Sequence, residues 1–344
     1  MKFSRMVFIF LSLVLLSFSA CKDDFLKDVT VEVPVAPRPS MMDYLKYNYS
    51  FSMLYDALLR TGLAETLKDT SKPFTIMAPD NAAFAASGIT SDSLGKMDVA
   101  YLKELLSYHI LPGKLPETSI PVALNNKFLS ISNRELYISK QLQGMVTVNG
   151  VFMLSFGSSR DVEVANGIVH LLAKVLALPP ANLKEMLVNN PAYSRFAAAL
   201  RKFGLLDKLD GKGPFVVLAI SDDYFMSEES LNELDTLTHK KFLFDAQIFE
   251  DRLFFFSDFQ LRPASWGSPN SIQYYIKPEG AVVFDNAQTV VYAVPLNAGA
   301  NPDYYVWGLG DQIYMNPETP GALTGNGVLI DCYSPLVYPD NARK

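Results

Sequence analysis

A weak internal repeat restricts the fold of this chain more than any other feature. The segment GLAETL at residues 62–67 recurs as GLLDKL at residues 204–209, and each copy ends a stretch whose apolar residues have helical spacing. A glycine at that place is typical of the left-handed cap that terminates a helix. The copies lie too far apart for a solenoid, whose units run roughly 20 to 50 residues, so the repeat predicts two tandem globular domains.

The two copies correspond at their central and final strands as well. PFTIMA at residues 73–78 matches PFVVLA at residues 214–219, and each apolar run predicts a strand. Each copy closes on an Asn-Gly pair followed by apolar residues, at Asn166 and Asn326. Asn-Gly before such a run indicates a β-hairpin, so both copies should end in a hairpin strand.

Three segments of the first copy resemble, in order, the signatures of fasciclin-like domains. FTIMAPDNAAF at residues 74–84 is similar to the first signature, YHILPGK at 108–114 to the Tyr-His segment, and NGIVHLLAKVL at 166–176 to the second signature. The resemblance implies an α+β fold of two tandem fasciclin-like wedge domains, each a β-sandwich core with flanking helices. We predict the first domain at residues 41–180 and the second at residues 181–344.

The second copy departs from this pattern. The substituted pairs are Tyr108 and Ala246, His109 and Gln247, and His170 and Ile330. We therefore expect a divergent fasciclin-like domain with insertions between Pro263 and Gly325. Any activity that depends on the Tyr-His segment should lie in the first domain.

The N-terminus predicts export and lipidation. Lys2 and Arg5 precede an apolar run at residues 6–16, which is typical of a secretory signal and too short for a membrane span of about 20 residues. The small residues before Cys21 resemble the lipobox of bacterial lipoproteins, although Phe18 stands where that motif usually has an aliphatic residue. We expect a signal peptide at residues 1–20 and an acylated Cys21, with ordinary cleavage as the alternative.

Residues 21–40 are expected to form a lipidated tether. The Lys-Asp-Asp segment at 22–24 resembles the export signal that sends Bacteroidetes lipoproteins to the outer face of the outer membrane, and a solvated tether is the other interpretation. Prolines 34, 37 and 39 favour an extended spacer. We expect a lipid anchor in the outer membrane, on the cell surface or on the periplasmic face.

Composition argues against a nucleic-acid partner and against an internal disulfide. A net charge of −6 with interspersed signs argues against a nucleic-acid partner, which needs a basic stripe. The two cysteines are Cys21 and Cys332, so lipidation of Cys21 would leave no internal disulfide. Cys332 follows an apolar run and is expected to be a small buried residue.

The sequence contains no catalytic motif that we can name. There is no Gly-x-Ser-x-Gly elbow, phosphate-binding glycine loop or His-Glu-x-x-His. His109, His170 and His239 lack the spacing of a metal site, although the first two could approach each other if both signatures pack in one core. We predict no enzyme activity, no cofactor and no metal, and structural hydrogen bonds for His109 and His170.

Candidate binding residues fall into two groups. Tyr108 and His109 form the segment that some animal relatives link to integrin binding, although a buried strand is favoured here, and Asp161 lies where adhesive relatives display an acidic motif. Trp266 and Trp307 occupy Gly- and Pro-punctuated segments, where exposed rings could stack on sugars or anchor a protein, or could pack internally.

Two further segments are expected to be structural. Asp80 and Asn81 could contact a partner, but helix capping after Pro79 is favoured. The three phenylalanines at residues 254–256 predict a buried strand.

Two classes of function therefore remain. The first is a non-catalytic, surface-anchored lipoprotein that mediates adhesion or protein–protein binding, with a protein or the extracellular matrix as partner. The second is a glycan-binding accessory lipoprotein of an outer-membrane polysaccharide uptake system.

Overall fold

The structure is a computed structural model that describes residues 37–140, 144–155, 157, 159–234, 242–245, 247–260, 274–277, 280–284, 290–295, 311–314 and 321–332. From 274 to 314 the backbone alone is described. Contacts group Arg38–Lys344 as one unit. Within it we call residues 38–180 the N-terminal lobe and residues 181–332 the C-terminal lobe. The domain boundaries given above stay predictions.

The N-terminal lobe combines short helices with a sheet. Its helices are α1 (Met41–Tyr47), α2 (Ser52–Arg60), α3 (Leu63–Lys68), α4 (Asn81–Ala86), α5 (Ser91–Lys96) and α6 (Val99–Tyr108). Its strands are β1 (Phe74–Pro79), β2 (Ile110–Pro112), β3 (Asn126–Leu129), β4 (Glu135–Lys140), β5 (Val146–Val148), β6 (Val151–Leu154), β7 (Val162–Val164) and β8 (Gly167–Leu172). The strand order is β2-β1-β8-β6-β5-β4-β3, and β7 also pairs with β8.

The central strands β1 and β8 run parallel and are covered on both sides. They pair from Phe74 opposite Gly167 to Pro79 opposite Leu172, and every residue of both strands is buried. Ile76 of β1 packs in the core under the helices, whereas Met77 packs in a second core with β4 and β5. Burial on both faces explains why these strands are continuous apolar runs rather than alternating ones.

The C-terminal lobe repeats this arrangement. Its helices are α7 (Leu183–Asn189), α8 (Ser194–Lys202), α9 (Glu228–Glu233), α10 (Phe242–Asp245) and α11 (Phe256–Gln260). Its strands are β9 (Phe215–Ile220), β10 (Ile248–Glu250), β11 (Tyr274–Lys277), β12 (Gly280–Phe284), β13 (Val290–Pro295), β14 (Asp311–Tyr314), β15 (Ala322–Thr324) and β16 (Gly327–Cys332). The sheet order β10-β9-β16-β15 matches β2-β1-β8-β7, again with a parallel central pair.

The segment between Pro263 and Gly325 contains more than insertions. Strands β11 to β14 form an antiparallel sheet of four consecutive strands, and they occupy the place in chain order that β3 to β6 occupy in the first lobe. The expected insertions stay a prediction. The α+β class is confirmed.

Several local predictions are confirmed and one is wrong. Gly62 and Gly204 are left-handed, with φ of 76° and 67°. The hairpins before Gly167 and Gly327 pair as expected, as β7 with β8 and β15 with β16. The phenylalanines at 254–256 are buried, but they form no strand, because Phe256 begins α11.

The buried residue Asn166 connects three parts of the N-terminal lobe. Its Oδ1 accepts a hydrogen bond of 2.8 Å from the Met41 N–H at the start of α1, and its Nδ2 donates one of 2.6 Å to the Leu67 carbonyl at the end of α3. Its backbone carbonyl accepts from the Phe74 N–H at 3.1 Å, where β1 begins. We call this set of bonds the asparagine clamp.

Asn326 forms the same clamp in the C-terminal lobe. It accepts from the Leu183 N–H at 2.9 Å, donates to the Leu209 carbonyl at 2.8 Å and accepts through its carbonyl from the Phe215 N–H at 2.9 Å. Leu67 and Leu209 are the last residues of the two repeated segments, so the sequence repeat corresponds to the same hydrogen-bonding arrangement in both lobes.

A glycine must follow each clamp because the parallel strands approach closely there. A Cβ at Gly167 would lie 1.9 Å from the carbonyl oxygen of Phe74, and one at Gly327 would lie 2.2 Å from that of Phe215. Both distances are far below van der Waals contact, so any side chain would separate the strands.

We predict that Asn166→Ala lowers the free energy of unfolding of the N-terminal lobe by about 2–4 kcal/mol, because it leaves a buried N–H and a buried carbonyl without partners. Urea unfolding of the full chain measures the change. Asn189→Ala, at an exposed position of α7, is the matched control and should change stability by less than about 0.5 kcal/mol. Equal effects of the two substitutions would contradict the clamp.

Candidate functional site

The Tyr-His pair lies at the end of a helix. Helix α6 ends at Tyr108, His109 caps it by donating its backbone N–H to the Leu106 carbonyl at 3.0 Å, and β2 begins at Ile110. Both side chains have no exposed surface. The predicted strand is therefore wrong at these two residues, whereas their predicted burial is confirmed.

The Tyr108 hydroxyl is fully engaged inside the protein. It donates a hydrogen bond of 3.0 Å to the Glu135 carbonyl and accepts one of 2.7 Å from Asn149 Nδ2. Burial raises the pKa of Tyr108 well above its usual value. Tyr108 therefore joins α6 to the sheet as an uncharged group.

His109 is a neutral imidazole whose ring joins α6 to the segment after β8. Its Nδ1 lies 2.8 Å from the Leu105 carbonyl, and its Nε2 accepts from the Leu176 N–H at 2.9 Å. One donor and one acceptor fit the neutral tautomer with the proton on Nδ1. Burial lowers the pKa of His109 to about 4, so the ring is uncharged at neutral pH.

Gln247 takes the place of His109 in the C-terminal lobe. The His109 carbonyl accepts from the Met77 N–H of β1 at 2.8 Å, and the Gln247 carbonyl accepts from the Leu218 N–H of β9 at 2.9 Å. Gln247 is also completely buried. Gln247 therefore occupies the structural position of His109, as the comparison of the two sequence copies predicted.

Asp161 and His170 form a second internal network. The Asp161 carboxylate accepts from the Glu117 N–H at 3.0 and 3.2 Å, and Asp161 Oδ1 lies 3.5 Å from Nδ1 of the buried His170. The other nitrogen of His170 lies 2.8 Å from the Leu115 carbonyl. These contacts attach two loops to β8, which is a structural role for both residues.

The two histidines of this lobe serve separate contacts. The backbone of His109 bonds to Met77, and His170 pairs with Met77 across the parallel strands, but their rings bond to different carbonyls. Among the residues that the structure describes, no three His, Cys, Asp or Glu side chains are placed to hold a metal ion. Cys332 is buried, and burial raises the pKa of its thiol.

Two tyrosines at the end of α1 and just after it are the most exposed large hydrophobic residues of the described surface. The rings of Tyr47 and Tyr49 are 78% and 86% exposed, and the Lys46 ammonium lies 5.2 Å from the Tyr47 ring centroid. We call residues 47–49 the tyrosine loop. Aromatic side chains at this exposure offer a large contact area to a partner.

The backbone of the tyrosine loop is held in place by polar side chains. Asn81 Nδ2 donates to the Tyr49 carbonyl at 3.1 Å, and Asn81 Oδ1 accepts from the Met53 N–H at 3.0 Å. Asn48 Oδ1 accepts from the Ser50 N–H at 3.2 Å.

Asp80 caps α4 by accepting a hydrogen bond of 2.8 Å from the Ala83 N–H, as predicted. Asn81 therefore supports a surface loop rather than capping this helix.

The tyrosine loop belongs to the N-terminal lobe alone and was missed by sequence reasoning. The corresponding residues of the C-terminal lobe are Asn189 and Pro191. A signal was present in α1, where the buried positions are 41, 42 and 45. Tyr47 falls off this apolar stripe, so helical spacing alone indicates that its ring faces solvent.

A cavity of about 410 Å³ lies between the two lobes. Leu176 and Met186 contribute to its apolar wall from opposite lobes, and Lys174 is the charged residue of its lining. The polar atoms of Ser87 and Asn149 in this lining already bond within the protein. The cavity therefore offers few directed polar groups to a ligand.

Three of the predicted site residues, Cys21, Trp266 and Trp307, lie outside the described residues. Residues 21–36 of the predicted tether, which include its Lys-Asp-Asp segment, also lie outside them. Within the described part of the chain, no helix has the length and apolar character needed to cross a membrane. A binding role for Tyr108, His109 and Asp161 stays a prediction.

Comparisons with known proteins agree on one family. The sequence matches the Fasciclin domain over residues 49–179. Protein sll1483 of Synechocystis sp. is 33% identical over 135 residues, which is 39% of this chain and 69% of that protein. The chain belongs to the fasciclin domain family.

Larger animal proteins are also similar to this chain. Transforming growth factor-beta-induced protein ig-h3 of Sus scrofa is 30% identical over 166 residues, or 47% of this chain and 23% of that protein. The Oryctolagus cuniculus protein is 28% identical over 273 residues, or 78% and 35%. The chain thus spans a minor part of both. A solved FAS1 domain pair from the insect cell adhesion molecule Fasciclin I has 19% identity and a TM-score of 0.36, covering 86% of this chain and 99% of its own.

We predict that His109→Gln removes an acid-sensitive part of the stability. The pKa of His109 is 6.5 in the unfolded chain and about 4 in the folded chain, so the unfolded chain takes up a proton first as the pH falls. The free energy of unfolding should therefore fall by about 3 kcal/mol between pH 6.5 and pH 4. Unfolding at several pH values should show this difference between wild type and variant. Tyr108→Phe, which keeps the histidine, should follow the wild-type profile. A difference that does not change with pH would contradict the prediction.

Proposed function

We propose that the protein acts by binding and not by catalysis, as a surface-anchored lipoprotein that mediates adhesion or protein–protein binding through its N-terminal fasciclin domain. Fasciclin domains are found in cell adhesion proteins. The exposed tyrosine loop is the observation that carries the proposal, because it presents two aromatic rings on a fixed backbone.

A fixed loop with exposed rings is well suited to bind a protein. Tyrosine buries a large area on binding and loses few rotamers, and it is enriched among the residues that dominate interface energies. Since the bonds from Asn48 and Asn81 order the backbone before binding, less entropy is lost when a partner docks. Lys46 beside the Tyr47 ring favours a partner surface with a carboxylate next to an apolar patch.

The other candidate residues support internal structure. Tyr108 and His109 use their polar atoms within the lobe, and Asp161 binds the Glu117 backbone and faces His170. A partner could reach Tyr108 or His109 only if the lobe opened. Binding through the tyrosine loop requires no such rearrangement.

Glycan binding is the second candidate function, and the same loop favours it. Exposed tyrosine rings can stack on sugar rings as well as on protein side chains. The proposal for Trp266 and Trp307 belongs to this alternative. In that case the protein would serve as an accessory lipoprotein of an outer-membrane polysaccharide uptake system.

Replacing Tyr47 and Tyr49 by alanine in the full-length protein should reduce adhesion at least tenfold, since each ring of an interface centre contributes on the order of 1–2 kcal/mol. Adhesion of cells that display the protein is measured on collagen, on a second layer of the same cells and on a glycan array. Loss on the array alone would support the glycan function, and loss on protein or cell layers would support adhesion.

The matched control for this test is Tyr101→Ala, which removes a half-exposed tyrosine from α6. It should leave adhesion unchanged. Thermal unfolding should show that the double variant is as stable as the wild type, because neither ring is buried. Wild-type adhesion by the double variant on every surface would refute a binding role of the loop.

The proposed lipid anchor at Cys21 is tested separately in a Bacteroidetes host. Cys21→Ser should abolish labelling by palmitate and move the protein from the membrane fraction to the soluble fraction, because several acyl chains provide the stable anchor. Alanine at Asp23 and Asp24 should keep the protein in the membrane but hide it from protease added to intact cells. Unchanged palmitate labelling of Cys21→Ser would exclude lipidation at this residue.

A further inference from the structure

The cavity between the two lobes has the size of a small-molecule site. Its volume is about 410 Å³, and pockets that hold small molecules are roughly 300–1,000 Å³. The segment after β8 lines it from the N-terminal lobe, and Met186 of α7 and Leu323 of β15 line it from the C-terminal lobe. Its lining residues are mainly apolar, so water inside it finds few polar partners and an apolar group can displace it.

The polar side chains of the lining are already bonded within the protein. Ser87 Oγ accepts a hydrogen bond of 2.9 Å from the Val175 N–H. Asn149 Oδ1 accepts one of 2.9 Å from the Tyr137 N–H, and Asn149 Nδ2 donates one of 2.7 Å to the Tyr108 hydroxyl. An apolar ligand would therefore leave neither of these side chains without a partner, which favours an apolar body over a polar one.

Lys174 gives the cavity a charge of one sign. It is the one charged residue among the described residues of the lining, so no carboxylate of that lining opposes it. An ammonium group has three donors and can bind an anionic oxygen of a ligand in addition to its other contacts. The charge of the lining therefore favours an anionic head group and disfavours a cationic one.

The backbone around Lys174 is fixed on both sides. The Ala173 N–H donates to the Phe152 carbonyl at 3.0 Å, and the Val175 N–H donates to Ser87 Oγ at 2.9 Å. This wall of the cavity is thus formed before a ligand arrives, and binding requires little ordering of the chain.

We propose that the inter-lobe cavity binds a small amphiphile with a carboxylate head group, which pairs with Lys174, and a short alkyl chain, which lies between Leu176 and Met186. The volume is near the lower limit for small-molecule pockets, which favours a short chain over the acyl chain of a membrane lipid. This site does not involve the tyrosine loop, so it does not rest on the proposed adhesion. Because the ligand contacts both lobes, its binding should stabilise their contact.

Three probes of equal chain length test the chemistry of the site. Octanoate, 1-octanol and octylammonium are titrated by calorimetry into the full chain at pH 7 in buffer without detergent. Octanoate should bind at least tenfold more tightly than octylammonium, and 1-octanol should lie between them. Equal affinities for the three probes, or no measurable binding of octanoate, would overturn the proposal.

Substitutions of Lys174 test its part in binding. Lys174→Gln should weaken octanoate binding about tenfold and leave 1-octanol binding unchanged, because it removes a charge-assisted hydrogen bond that only the carboxylate makes. Lys174→Arg should retain most of the octanoate affinity. Lys72→Gln, at an exposed position, is the matched control and should bind octanoate like the wild type. The same octanoate affinity in Lys174→Gln and in the wild type would refute the role of Lys174.

NMR of the unmodified protein locates the ligand without depending on how any variant folds. Intermolecular NOEs from the octanoate methyl group should reach the methyl groups of Leu176 and Met186. NOEs from bound octanoate to the tyrosine loop or to other surface residues, with none to Leu176 and Met186, would exclude binding in the cavity.

Discussion

The parallel pairing of the first and last strands of each lobe is the constraint on which the rest depends. In the N-terminal lobe it is closed by the asparagine clamp, which also fixes the start of α1 through Met41. The tyrosine loop begins at the last residue of that helix, and its other end is held by Asn81, just after β1. A buried side chain in the core therefore positions a surface loop, because both lie on elements that meet at β1 and β8.

Structural features that depend only on neighbouring residues could be predicted from the sequence. Glycine at 62 and the Asn-Gly hairpin at 166–167 carry their geometry in their own chemistry. The apolar run before Tyr108 fits a helix as well as a strand, so local pattern could not place that pair, and tertiary contacts decided it. The burial of Asp258 could not be predicted for a different reason, because an aspartate in this segment looks like an ordinary surface acid until the fold removes it from solvent.

The two lobes show which residues the fold needs and which it does not. Both keep the clamp, the glycine after it and the left-handed helix cap. The C-terminal lobe has Gln247 in place of His109, and it has no counterpart of the tyrosine pair. Residues that vary between two copies of one fold are free to serve binding, which is why we place the binding surface on the N-terminal lobe.

A buried histidine makes the stability of the N-terminal lobe sensitive to acid. Burial in the folded state favours the neutral form of His109, so acidification from pH 6.5 to 4 lowers the free energy of unfolding of the N-terminal lobe. Gln247 takes the same place in the C-terminal lobe without a titratable group, so this response to acid belongs to the N-terminal lobe.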